Sequence, residues 1–295
     1  MYELTDVQIN TFQQKGWIGP LDTFSIQEVE PVKKELEANS QVELAGEQKI
    51  RTFQNPHFEM KTTLNHHLYS NSLSDIFADK RIVSRLNQLG EPDLLLWRTN
   101  IFHTMPGQEV VGWHQAIDYY GYDADETKVE LLFPEGESPL NLTVWIAFED
   151  ITPEMGILDF ANGSHHKRFQ AIKVPLGQGD LGGEKYYRNL DSEPEEKRYS
   201  KAFDFDEKEW EIESVPTVKA GQIIIFTEKA MHRGRSNGSS KERWAVNGRY
   251  IKPSVTVYPR RLSGDYIDNY GFDIRKHFCT LVSGSDNYRI NQVAK

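Results

Sequence analysis

The sequence predicts a mainly β protein with flanking helices, an antiparallel sandwich or barrel covered by helical layers. Three observations predict it. Apolar residues recur at helical spacing through most of the chain up to about residue 92. From residue 93 the texture changes to short β-rich runs separated by Gly, Pro and Asn turns. No helical run is interleaved among the clearest of these strands, which argues against a βαβ sheet.

The first element is a helix opened by Thr5 and Gln8, a pair spaced to satisfy free backbone N–H groups, with Val7, Ile9 and Phe12 on its apolar side. "FSIQEVEPVKKELEAN" is a second helix, capped by Ser25 and Glu28, with Pro31 bending it or delaying its start. Residues 70–90 carry Leu73, Ile76, Phe77, Ile82, Val83, Leu86 and Leu89 at helical spacing around a turn, closed by Gly90. The strands follow as "DLLLWRTNIF", "NLTVWIAFED", "GILDF", "GQIIIF" and "RWAVNGRYIKPSVTVYP". Residues 176–214 break the pattern with a charged, glycine-containing segment that also holds aromatics, which reads as a long excursion over the barrel mouth or, equally, as a solvated surface insertion. We expect one domain over 1–295: a helical part at 1–92, barrel strands at 93–259 with a lid at about 176–214, and a C-terminal extension at 260–295.

Composition narrows the function. The net charge of −10 excludes a general nucleic-acid binder, which needs surplus Lys and Arg for phosphates. No apolar run approaches a membrane span. The N-terminus has no cationic segment leading into an apolar one. The lone Cys279 has no disulfide partner in the chain, so the expected location is the reducing cytoplasm.

The chemistry gathers at "VGWHQAIDYYG". A His followed two positions later by Asp or Glu opens the two-His-one-carboxylate iron triad, but the residue two after His114 is Ala116. His232 follows the buried-strand pattern "AGQIIIFTEKAM". Each histidine alone reads as a structural one. Strand alternation puts Arg243, Ala245, Asn247 and Arg249 on one face, so both guanidiniums point into one cavity, where a structural ion pair is the plainer alternative. The same rule puts Asn141, Thr143, Trp145 and Ala147 on one face and Leu142, Val144, Ile146 and Phe148 on the other, which suits a barrel with a polar cavity. Asp118 is a displaced carboxylate whose offset from His114 does not fit the triad. His165 and His166 read as turn residues, and His66 and His67 as surface residues.

Four ordered blocks carry a family resemblance: "FQQKGWIGPLDTFS", "LLWRTNIFHTMPGQEVVGWHQA", "NLTVWIAFEDITPEMGILDFANGSH", and "AGQIIIFTEKAMHRG" through "RWAVNGRYIKPSVTVYP". Together they resemble the phytanoyl-CoA-hydroxylase-like branch of Fe(II)/2-oxoglutarate oxygenases, and within it the syringomycin-type chlorinating enzymes. The resemblance implies a double-stranded β-helix (jelly-roll or cupin-like) barrel. It implies Fe(II), 2-oxoglutarate, chloride and O2 as cofactors. It implies hydrogen abstraction from an unactivated aliphatic C–H followed by chlorine transfer, in natural-product biosynthesis. By the same resemblance His114 and His232 ligate iron, and Ala116, Thr143 and Arg249 form the halide pocket. Arg243, Trp145 and Thr104 hold 2-oxoglutarate. Tyr199 and Phe203 are candidates for the lid aromatic. Glu228 departs from the family's small hydroxyl residue, and has to turn away, pair with Lys229 or Arg233, or make the pocket different. The implied substrate is an aminoacyl or acyl group on a carrier protein, or a free small molecule. Alternatives are hydroxylation in the same fold and a binding protein that has lost iron. Docking a carrier needs a local basic patch, for which Lys33 with Lys34, or Lys197 with Arg198, are candidates.

Overall fold

The computed structural model describes residues 2–45, 48–90, 92–108, 112–116, 130–136, 141–175, 199–268 and 270–294. Helix α1 (Asp6–Lys15) starts where Thr5 and Gln8 cap each other reciprocally, with Gln8 N–H donating to Thr5 Oγ1 at 3.3 Å and Thr5 N–H to Gln8 Oε1 at 2.9 Å. Phe12 is buried, but Val7 is exposed, because only one stripe of so short a helix meets the sheet. Strand β1 (Trp17–Leu21) follows, then α2 (Ile26–Ala38), begun by the Ser25–Glu28 box. Pro31 lies inside α2 with its ring facing solvent, and the start is not delayed. A hairpin and a short third strand follow as β2 (Ser40–Ala45), β3 (Gln48–Asn55) and β4 (Met60–Lys61). Helices α3 (Asn71–Ala78) and α4 (Lys80–Gln88) turn at Asp79, which caps α4 through its side chain.

The remaining strands are β5 (Leu94–Thr104), β6 (Leu131–Leu132), β7 (Leu142–Ala147), β8 (Leu158–Ala161), β9 (Ala171–Pro175) and β10 (Tyr199–Phe203). They continue as β11 (Ile212–Ser214), β12 (Ile223–Thr227), β13 (His232–Gly234), β14 (Arg243–Ile251), β15 (Thr256–Val257) and β16 (Thr280–Ser283). A six-stranded antiparallel sheet runs β1-β12-β7-β14-β5-β16. Facing it are the shorter pieces β11-β8-β13, β9-β10 and β6-β15, the two layers of a jelly roll.

Three sequence expectations need correction. Residues 1–92 are not only helical: β1 joins the main sheet beside β12, and β2 to β4 form a sheet of their own. β1 is too short to show a period, and β2 is largely solvated, so neither carries an apolar pattern. Residues 260–295 are not a mere extension, since β16 closes the other edge against β5. His66 and His67 are buried; desolvation pulls their imidazoles down to about 4 and about 3, and their ring nitrogens bond Thr62 O, Tyr69 Oη and Thr99 Oγ1. Part of the proposed lid, 199–214, is regular: β10 pairs back onto β9 and β11 onto β8. Residues 176–198 lie outside the described residues.

The alternation expected in β7 and β14 holds. Leu142, Val144, Ile146 and Phe148 pack with Trp244, Val246 and Tyr250 under the helices, against Val29, Leu36, Phe77 and Leu86. Trp145, Ala147 and Ala245 face the other way, toward Trp17, Phe160 and Phe226 between the sheets. Gly248 marks the closest approach of helix to sheet, where a Cβ would sit 2.5 Å from Phe77 Cδ1. Replacing Gly248 with Ala should therefore destabilise the protein by roughly 1–3 kcal/mol through overpacking. Chemical denaturation checks this; an unchanged midpoint would show that the Phe77 ring moves aside freely.

Candidate active site

Two segments far apart in sequence meet at the site. His114 and His232 exchange backbone hydrogen bonds, N–H to carbonyl, at 2.9 and 3.0 Å. Their rings lie 4.1 Å apart, centroid to centroid. Each ring's Nδ1 lies 2.8 Å from the carbonyl two residues earlier, Gly112 O for His114 and Ala230 O for His232. A carbonyl only accepts, so Nδ1 carries the proton and the lone pair falls on Nε2, the arrangement of a metal-ligating imidazole. Burial holds His232 well below the ordinary imidazole range, and His114 and Arg249 nearby act in the same direction. The ring is therefore neutral, as a ligand must be.

Gln115 fixes the loop between them. Its Nε2 donates to Lys167 O at 2.8 Å and Lys229 O at 2.5 Å, and its Oε1 accepts from Phe169 N–H at 3.2 Å. Behind the rings, Arg233 bonds the buried Asp159 at 2.9 Å and Glu207 at 3.0 Å. It also stacks on Trp113, whose Nε1 donates to the same Glu207 at 2.9 Å. Residues next to both histidines thus share one carboxylate from the far end of the insertion. Gln115, Asp159 and Glu207 carried no signal in the sequence, because each acts through partners distant in the chain.

The histidines open onto a cavity walled by Ala116, Thr143, Trp145, Phe226, Glu228, Arg243, Asn247 and Arg249. Register explains the wall. Trp145 pairs with Asn247, Thr143 with Arg249 and Ala147 with Ala245, so side chains two apart on β7 and β14 form parallel rows. Asn247 was legible from that same alternation, yet no role was drawn for it; its Oδ1 is buried with no partner among the described residues.

The two arginines differ. Arg243 is 3% exposed, donates Nη1 to Gly156 O, and leaves Nε without a partner. Among the described residues no carboxylate lies within ion-pair distance of it, and burial lowers its guanidinium to about 10, still cationic at neutral pH. Arg249 is instead the structural pair: its Nε lies 3.4 Å from Glu228 Oε1. Glu228 does not turn away from the cavity. Its fully buried carboxylate accepts from Asn141 Nδ2 and from Thr143 Oγ1 at 3.0 Å, and the cation it faces is Arg249, while Arg233 is held by Asp159 and Glu207.

Thr104 stands across the ladder from Arg243, buried and off the cavity wall, its hydroxyl without a partner among the described residues. Phe203 is buried at the end of β10 in the cluster with Trp113 and Phe169, away from the wall. Tyr199 opens β10, and its side chain, like the whole of Asp118, lies outside what is described. His165 and His166 sit in a 3-10 turn, as their sequence implies. Among the described residues no three His, Cys, Asp or Glu side chains converge as a metal site, which leaves a two-imidazole donor set.

These groups fit Fe(II) with 2-oxoglutarate: two imidazoles whose Nδ1 faces a backbone carbonyl, so that Nε2 is left to the site, and a buried guanidinium with no carboxylate within ion-pair distance among the described residues. Jelly roll and site together define the non-haem iron oxygenase class. The family model for phytanoyl-CoA dioxygenase (PhyH) matches residues 12–245. The chain belongs to that family and is an oxidoreductase of the Fe(II)- and 2-oxoglutarate-dependent oxygenase type. No curated protein matches the sequence. Among solved structures the chain is similar to CytC3 with Fe(II) and alpha-ketoglutarate, at 20% identity and TM-score 0.67 over 99% of this chain and 93% of that one. It is similar to the non-heme monooxygenase ThoJ, at 19% identity and TM-score 0.65 over 98% and 87%. The epimerase SnoN, in complex with Fe3+, alpha ketoglutarate and nogalamycin RO, aligns at 14% identity and TM-score 0.62 over 98% and 95%. At these identities the likeness speaks for the fold.

Among the described residues, Arg243 is a buried charge with no carboxylate within ion-pair distance. Replacing it with Met should leave the apo protein as stable as the parent or up to a few kcal/mol more stable. Thermal melts of both apo proteins decide this, and a large loss would mean that Arg243 is a structural strut.

Proposed function

We propose that the protein chlorinates an unactivated aliphatic C–H bond, with His114 and His232 holding iron and a chloride ion beside Ala116. Ala116 carries this reading. It is buried, its N–H donates to Glu228 O at 2.9 Å, and it offers the cavity only a methyl group. A carboxylate there would take a coordination position and repel an anion; the methyl does neither. Iron with 2-oxoglutarate, when bound, supplies the oxidising power to break the C–H bond.

The chain's own groups do the positioning. Arg243 grips the distal carboxylate of 2-oxoglutarate through its planar fork, with Trp145 beside it on the wall. The apolar faces of Phe226 and Leu158 shield the site from water. The substrate in this reading is an aminoacyl or acyl group on a carrier protein, or a free small molecule. Lys33 and Lys34 are poor docking residues, since they pair with Glu149 at 2.9 Å and Glu30 at 2.8 Å. Lys197 and Arg198 lie outside the described residues.

A second reading, hydroxylation or another oxidation at the same iron, is favoured by one observation. Glu228 engages Thr143 and faces Arg249, the two side chains assigned to chloride.

The test is an anaerobic chloride titration of the Fe(II)–2-oxoglutarate charge-transfer band, followed by mass analysis of products. Chlorination predicts a saturable shift of the band and chlorinated product. Ala116→Asp should abolish both or divert the reaction to oxygenation. Full chlorination by Ala116→Asp would sink the proposal, and oxygen-only products from the parent in chloride would select the second reading.

A further inference from the structure

We infer that Glu228 determines which ligand the position beside Ala116 accepts: its carboxylate is a built-in competitor for an incoming anion. The inference rests on the reading that this position takes an exogenous ligand.

Glu228 follows β12 and reaches the site from the backbone side of Ala116. Its N–H donates to Asn141 O at 3.2 Å, and its own carbonyl accepts the Ala116 N–H. Ala116 and Glu228 are thus backbone neighbours, and both line the same cavity as the two histidines. The chain omits a carboxylate at position 116 and supplies one from the adjoining segment.

The carboxylate is held on several sides. Thr143 Oγ1 donates to Oε1 at 3.0 Å, and Arg249 Nε lies 3.4 Å from the same oxygen. Asn141 Nδ2 donates to Oε2. The Asn141 amide is itself oriented by Trp97, whose Nε1 lies 3.4 Å from Asn141 Oδ1. An indole N–H only donates, so the amide oxygen faces Trp97 and the amide nitrogen faces Glu228. The arrangement is built for a negative charge, and the protein fills it with its own.

The electrostatic consequence is direct. Of the two guanidiniums on the wall, Arg243 stands ready for the cosubstrate carboxylate, while Glu228 offsets Arg249. A chloride beside Ala116 then meets a carboxylate in a buried site, where like charges repel more strongly than in water. With Gln at 228 the shape stays and the charge that repels an incoming anion goes.

The experiment is the same chloride titration run on the parent, Glu228→Gln and Glu228→Ser, each loaded with Fe(II) and 2-oxoglutarate. It is repeated with Co(II) alone, reading the visible d–d bands. Apo melting curves identify any variant that has lost its fold, and the Ser variant serves if Gln packs poorly. We expect chloride to bind at least about tenfold more tightly to the variants than to the parent. A weak response in the parent that tightens in the variants supports both the inference and the halide reading. A response present only in the variants supports the inference and overturns chlorination as the parent's reaction. Equal or weaker binding by folded variants, with the parent still responding, overturns the inference and leaves the halide reading standing. No response in any protein overturns both.

Discussion

The reciprocal backbone hydrogen bonds between His114 and His232 are what the site depends on. Two imidazoles from distant parts of the chain have to arrive with the same nitrogen facing the same point. Side-chain torsions alone would leave too much freedom. The backbone bridge sets the distance between the rings, and each ring is then oriented by the carbonyl two residues before it. Gln115 and the Arg233–Glu207–Trp113 group hold the flanking residues, so the geometry exists before any metal arrives.

Charge on the cavity wall is divided with equal economy. β14 presents two arginines to one cavity, and among the described residues only Arg249 has a carboxylate within ion-pair distance. A guanidinium without a counter-ion is unfavourable in a folded interior. Arg243 meets that description. Arg249 does not, because Glu228 stands beside it. The same wall therefore carries one arginine beside a carboxylate of the protein and one with none within ion-pair distance among the described residues.

The outer side of the sheet makes the inner side possible. Leu142, Val144 and Ile146 on β7, with Val246 and Tyr250 on β14, bury themselves under α2, α3 and α4. That packing carries the stability of the barrel, and it frees the opposite face to be polar and to enclose a cavity rather than a solid core. β1 and β16 then cover the two edges, so both ends of the chain are drawn into the sheet that forms the wall.

Much of this was readable in the sequence, because the relevant patterns are local. Capping at Thr5 and Ser25, the alternation in "NLTVWIAF" and in "RWAVNGRY", and the spacing of His114 from Ala116 each lie within a few residues. Period two is enforced by the pleat, so inner and outer faces follow without knowing the neighbours. The strands at Trp17–Leu21, Ser40–Ala45 and Thr280–Ser283 were not readable. They are short or half-solvated, and the partner strand, not their own apolar pattern, makes them strands. Burial of His66 and His67 likewise depends on Thr62 and Thr99 being folded over them. The position of Glu228 is the clearest case. Its residue type suggested a side chain that would turn outward or seek Lys229 or Arg233. The direction it takes is decided by Asn141, Thr143 and Arg249, donors that only the tertiary fold brings to one point. By itself the sequence determined the mainly β barrel class, the inward face of β7 and β14 and the absence of a carboxylate at 116. Only the tertiary structure decided which arginine stands beside a carboxylate, because a buried charge is settled by the neighbours that surround it in space.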